Sequence, residues 1–207
     1  MSIAQSRHPH RRPPVAVMTL IAAALLASAC APTEDGVGLH LTKPAGWTYV
    51  SSTEVAAHGD AIGFSAGQLD AALAHQRTAP LLALVKYPPP HADVNPTFGV
   101  NITRADSLRG HDAGELLAVH ITEAQTAADG KFEVIEPNTA LTVAGRPAAR
   151  AVLRGPGDAA PIITIVVVVV DRTKFMFVTS GNGDGVDAAD HEFAQILASL
   201  ALPGAHP

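Results

Sequence analysis

Pro161-Ile162-Ile163-Thr164-Ile165-Val166-Val167-Val168-Val169-Val170-Asp171-Arg172-Thr173-Lys174-Phe175-Met176-Phe177-Val178 is the stretch that decides the fold. From Ile162 to Val170 every residue is apolar or β-branched, and a side chain branched at Cβ fits an extended backbone better than a helix. The run is bounded by turn residues at strand length. Asp171-Arg172-Thr173-Lys174 reverses the chain, and Phe175 to Val178 returns beside it as a hairpin. A strand that is apolar without alternation needs cover on both faces. Left exposed, the valines would be an aggregation-prone segment. The segment therefore predicts a central strand of a sheet with other layers packed on it.

Working downstream, the glycine-rich loop Gly181–Gly185 leads to a last helix, with Asp187 as its cap and Phe193, Ile196, Leu197 and Leu200 as its buried face. Upstream, three strands are predicted at Lys131–Glu136, Ala140–Val143 and Ala148–Arg154, the last two joined by the turn Ala144-Gly145-Arg146-Pro147. A helix starts with Asp112 as N-cap and Glu115 at N3, and Ala113, Leu116, Leu117, His120, Ile121 and Ala124 follow helical spacing. Phe98, Val100 and Ile102 alternate as a strand. Pro88 to Pro96 can only be a rigid loop, and Leu81 to Tyr87 before it reads as a buried strand. Ser65-Ala66-Gly67-Gln68 is a capping-box pattern opening a helix with Leu69, Ala72, Leu73 and Gln76 on one face and Pro80 at its end. Leu39 to Thr42 is a short strand stopped by Pro44-Ala45-Gly46-Trp47. Between Trp47 and Ser65 no period stands out. Strands joined by tight turns pair mainly antiparallel, so the fold class is α+β, a mainly antiparallel sheet with helices on its faces.

This order of elements resembles the PsbP-like fold, an α/β/α sandwich shared with Mog-type Ran-binding proteins and with bacterial lipoproteins of the DcrB and LpqN kinds. The resembling phrases are Lys43-Pro44-Ala45-Gly46-Trp47, the Asn95-Pro96 lead into a strand, Val143-Ala144-Gly145-Arg146-Pro147-Ala148, and the closing hairpin with Phe193, Ile196 and Leu197. The resemblance spans nearly all of 39–202 and implies a non-enzymatic binding or accessory protein. Fold alone does not give function.

The chain has 207 residues, 47% hydrophobic and 16% charged, against about 25% charged in an ordinary globular protein. Length and the lack of internal repeats suggest one domain. The single cysteine excludes an intramolecular disulfide framework, a cysteine-rich zinc site and a CxxC redox centre. A net charge of −5 argues against nucleic acid as a partner. No phosphate loop or nucleotide fingerprint occurs, and no cofactor is implied.

The first residues read as an address. Arg7, Arg11 and Arg12 lie in an acid-free start, and Val15 to Ala29 is apolar apart from Thr19 and Ser28. That is the layout of a secretory signal peptide, and the run falls short of the roughly 20 residues a spanning helix needs. The next residue is the sole cysteine, in Leu26-Ala27-Ser28-Ala29-Cys30. The string resembles a bacterial lipoprotein precursor, in which the cysteine thiol takes a diacylglycerol, the signal is cut before it, and the new N-terminus is acylated, commonly by palmitate. Ala27 stands where that family usually has Leu. The alternative is cleavage after Ala27-Ser28-Ala29 with release of a soluble protein. In a host with two membranes, Ala31 resembles the sorting pattern for the outer membrane, facing the periplasm. The expected division is a signal peptide at 1–29, a lipidated N-terminus and short linker at 30–38, one PsbP-like domain at 39–203 and a tail at 204–207. Cleavage leaves 11 basic against 19 acidic residues, a net charge of −8. Such a domain gains nothing from anionic lipid headgroups, so the membrane partner would be held by the lipid.

Four groups of residues could carry chemistry or binding. Gly63-Phe64-Ser65-Ala66-Gly67 is a literal G-x-S-x-G, the spacing of a nucleophile elbow in serine hydrolases. Ser65 is equally explained as a helix cap, and little chain precedes it in which to build the parallel sheet an elbow needs. The loop Asn182, Asp184 and Asp187 offers oxygen ligands to a hard cation such as calcium, without the EF-hand spacing. His91, Asp93 and Asn95 lie in the proline loop, which is preorganised for an envelope protein or a small ligand. Trp47 could anchor a ligand, though beside a first strand it reads better as core. The leading expectation is an extracytoplasmic lipoprotein that binds or supports another envelope component. A serine hydrolase using Ser65 and a metal-binding lipoprotein are the alternatives.

Overall fold

In chain order the secondary structure runs β1 (Val37–Thr42), β2 (Thr48–Ser52), β3 (Ala56–His58), β4 (Ala61–Ser65), α1 (Ala66–His75), β5 (Leu82–Val85), β6 (Thr97–Arg104), a short 3-10 turn at Asp106–Leu108, α2 (Ala113–Ala127), β7 (Glu133–Val143), β8 (Arg146–Arg154), β9 (Ile162–Val170), β10 (Thr173–Gly181) and α3 (Val186–Ala198). The structure, a computed structural model, describes residues 37–52, 56–58, 60–75, 80–88, 90, 95–127, 132–156, 160–181 and 186–203.

The main sheet has seven antiparallel strands in the order β2-β5-β6-β10-β9-β8-β7. The hairpin read from the valine run lies at its middle, with Phe175 opposite Val168 and Ile102, and Phe177 opposite Val166 and Val100. These side chains face one core, which also holds Leu39 and Leu41 of β1, Ile62 and Phe64 of β4, Leu69 of α1 and Phe193 and Ile196 of α3. Phe98 stacks on Phe177 at 6.5 Å between ring centroids and tilts against Phe193 at 5.9 Å. The opposite face carries Ile165 and Val167 of β9, Ala149, Ala151 and Leu153 of β8, and Ala113 and Leu117 of α2. Strand β9 thus lends alternate residues to two cores, and its sequence has no polar face to show. The fold is α+β, an antiparallel sheet with helices on both faces.

A three-stranded sheet, β1-β4-β3, packs within the first core. The end of the described chain returns to it, since His40 and Ala201 exchange both backbone hydrogen bonds at 2.9 Å. β1 takes in Val37 and Gly38, two residues that composition assigns to the linker. Gly38 is there for closeness: a Cβ would stand 2.6 Å from the backbone oxygen of Ser65. Asp112 caps α2 as expected, its Oδ1 accepting from the Glu115 N–H at 2.8 Å.

Three expectations need correction. The strands expected at Lys131–Glu136 and Ala140–Val143 are one strand, β7, with register shifts between Val134 and Glu136 and between Glu136 and Thr139. Pro137 and Asn138 form an irregularity in this sheet-edge strand, where a missing N–H costs little. The buried strand expected to reach Tyr87 ends at Val85. The last helix begins at Val186, one residue before its expected cap, Asp187. The unread stretch after Trp47 holds β2, β3 and β4.

Candidate functional site

The base of the proline loop is built by Lys86 and Tyr87 leaving β5 and by Asn95 and Pro96 entering β6. Asn95 Oδ1 accepts from the Tyr87 N–H at 3.0 Å, and its Nδ2 donates to the Tyr87 carbonyl at 2.6 Å. The Lys86 N–H donates to the Pro96 carbonyl at 2.9 Å. The asparagine amide imitates the donor and acceptor of a paired strand residue, so it clamps the loop shut at its root. Its role is to hold the loop, and both its polar atoms are engaged.

Beside this clamp runs a rim of charged side chains. Glu192 of α3 accepts from the Trp47 indole N–H at 3.2 Å and from Lys86 Nζ at 2.9 Å through the same oxygen. Lys43 Nζ donates to the Trp47 carbonyl at 3.0 Å and lies 3.2 Å from Asp60. Trp47 itself is 4% exposed and belongs to the core. Its ring fills the space between layers while its N–H ties α3 down. Tyr87 is 42% exposed, with Lys86 Nζ 5.9 Å from its ring centroid. Burial, and then the charge of Asp60, hold the Tyr49 phenol above its ordinary pKa. An exposed tyrosine on a clamped base, beside the Lys86–Glu192 pair, suits contact with a partner.

Ser65 ends β4, and α1 starts at the next residue. Its Oγ accepts from the Gln68 N–H at 3.2 Å, and Gln68 Oε1 accepts from the Ser65 N–H at 2.9 Å. This is the reciprocal capping box. Among the described residues the non-glycine left-handed positions are Ala144 and Asp171. Ser65 passes from strand to helix without the strain of an elbow, and its hydroxyl meets helix backbone, not an imidazole.

Cys30, His91, Asp93, Asn182 and Asp184 lie outside the described residues, as does the side chain of Asp187. Among the described residues no group of three or more His, Cys, Asp or Glu could hold a metal ion, and no helix is long and apolar enough to cross a membrane.

No protein-family model matches the chain, and no curated protein matches it. Solved structures do. LpqN of Mycobacterium tuberculosis, described as involved in cell envelope biogenesis, superposes with a TM-score of 0.51 at 12% identity, over 82% of this chain and 86% of that one. Cyanobacterial PsbP (CyanoP) from Synechocystis sp. PCC 6803 superposes with a TM-score of 0.51 at 15% identity, over 84% of this chain and 90% of that one. The chain has the PsbP-like fold. On this PsbP-like scaffold the surface just described draws on β2, β5, β6, α3 and the turn after β1. Sequence reasoning found the loop and Asn95 but missed Lys86, Tyr87 and Glu192. Lys86-Tyr87 before three prolines is a local signal. That Glu192 meets Lys86 from more than a hundred positions away is not.

Proposed function

We propose that the chain is an extracytoplasmic lipoprotein, anchored through acylated Cys30, whose PsbP-like domain binds or supports another component of the cell envelope. The observation that carries the reading is the position of the only cysteine, directly after the apolar run and seven residues before β1. LpqN, which shares the fold, is described as involved in cell envelope biogenesis, and this agrees with the reading. Engagement of Ser65 in the helix cap favours this binding role over hydrolysis.

The test is the mass of the N-terminal peptide of the mature protein, isolated from membranes. A peptide starting at Cys30 and carrying a thioether-linked diacylglycerol is expected. A peptide starting at Ala31, or an unmodified cysteine in a soluble fraction, would overturn the anchor. Crosslinked recovery of partners, compared with Tyr87→Ala, tests the surface; unchanged recovery would move the contact elsewhere.

A further inference from the structure

Away from that rim, on the face of the sheet covered by α2, three polar side chains form a chain. Lys174 of β10 places Nζ 2.6 Å from His120 Nε2 on α2, and His120 Nδ1 lies 3.1 Å from Glu123 Oε2. An ammonium offers only donors. Nε2 must therefore accept, which places the imidazole proton on Nδ1, where it is donated to the Glu123 carboxylate. The order is carboxylate, imidazole, amine: an orienting group, a base and a nucleophile within hydrogen-bond reach of one another.

The contrast with the other lysines gives the arrangement its meaning. Lys43 pairs directly with Asp60 and Lys86 directly with Glu192, at 3.2 and 2.9 Å. Lys131 is outside the described residues. Among the described lysines, Lys174 is the one whose hydrogen-bond partner is an imidazole, with the carboxylate one step removed. Its neighbours across the strands are Thr103 of β6 and Val169 of β9, neither of which is charged. Met176 and Val178 follow it on the same face of β10, packed against the α2 core.

We propose that Lys174 is a nucleophilic amine site for a small aldehyde with an apolar substituent, with His120 accepting its proton and Glu123 orienting the ring. The amine nitrogen attacks the carbonyl carbon, and the proton released from nitrogen passes to His120 Nε2. His120 returns that proton to the oxygen, giving the carbinolamine hydroxyl, and then relays the second N–H proton to the same oxygen, which departs as water and leaves the neutral imine. No oxidant or reductant is needed. Burial lowers the pKa of Lys174 against the opposing pull of Glu123, and burial followed by the Lys174 charge lowers that of His120. The direction at Lys174 agrees with an amine that gives up its proton readily, and the direction at His120 keeps the imidazole neutral with Nε2 open to accept.

The experiment treats the folded protein with hexanal and a mild borohydride near neutral pH and follows reductive alkylation of each lysine by peptide mass spectrometry. Lys174 is expected to react about a hundredfold or more faster than Lys43 and Lys86, the lower reach of a positioned general base. His120→Gln keeps an acceptor for Nζ but cannot carry the proton. It should bring Lys174 down to the rate of the other lysines while leaving the circular dichroism spectrum unchanged. Equal rates at the three lysines in the unaltered protein would overturn the proposal. So would a His120→Gln protein, still folded, in which Lys174 keeps its advantage.

Discussion

At the scale of single residues, polar side chains singled out by sequence turn out to serve backbone. Ser65 illustrates how one string supports two readings. G-x-S-x-G and S-x-x-Q overlap at the same serine, and both expect a helix to follow. What separates them is the backbone angle at Ser65 and the partner of its hydroxyl, and neither is written in the residue types. The observed partner is the Gln68 N–H. Ser65→Ala should therefore lower unfolding stability by about 1 kcal/mol, as loss of a serine cap does. Ser65→Asp, which caps as well, should restore it, and urea denaturation of the three proteins checks both. A fluorophosphonate reagent should leave Ser65 unmodified; a covalent adduct there would reinstate the hydrolase. Asn95 shows the same lesson from the other side. Asparagine before proline marks a loop, but the two hydrogen bonds to Tyr87 that make it a clamp need the opposite side of the loop to be in register.

At the scale of elements, what was legible is what is local. The hairpin of β9 and β10 announced itself because its turn and both strands lie in one window, and the faces of α2 and α3 follow from their 3.6-residue period. The strands β2, β3 and β4 were not legible. They are three to five residues long, and β2 pairs with β5, some thirty positions on, across α1. Non-local pairing leaves little trace in a short window. The docking of α2 on the sheet was half legible. His120 could be placed at the edge of its apolar face, but Lys174, 54 positions away, could not be placed against it. Burial of His120 under this docking, with the Lys174 charge second, has a consequence for stability. His120 has a lowered pKa in the folded protein, so below its ordinary value of 6.5 the unfolded chain binds the proton more readily. Stability from this site is complete above pH 6.5 and is lost as the pH falls toward the folded-state value. Comparing urea midpoints of the unaltered protein and His120→Gln between about pH 8 and pH 5, where imidazoles titrate, isolates the effect from the other histidines. The unaltered protein should lose more stability on acidification. A slope equal in the two proteins would mean that burial and the Lys174 charge do not oppose protonation of His120.

At the scale of the molecule, the net charge bears on the proposed acyl anchor. The part of the chain after residue 29 carries 11 basic and 19 acidic residues. In the folded domain several cations are already committed: Arg104 to Asp70, Arg150 to Glu136, Arg154 to Glu133, Arg172 to Asp106 and Lys86 to Glu192. These pairs are spread over the sheet edges, α1, α3 and the turn after β6, with no basic stripe among them to meet anionic headgroups. From Cys30 to Val37 is seven residue steps, at most about 25 Å of extended chain, so an acylated protein would hold its negative domain close to the bilayer without help from its surface. Two acyl chains supply the stable anchorage that one does not. Vesicle flotation separates the contributions. The protein starting at Ala31, without lipid, should stay in solution with both neutral and anionic vesicles, even at low ionic strength, where surface charges act over about 30 Å. The acylated protein should float with both, and somewhat less with anionic vesicles, because a net charge of −8 is repelled by them. Binding of the lipid-free protein to anionic vesicles would instead mean that a cationic patch on the folded domain engages the membrane, and the tether would then set only its height.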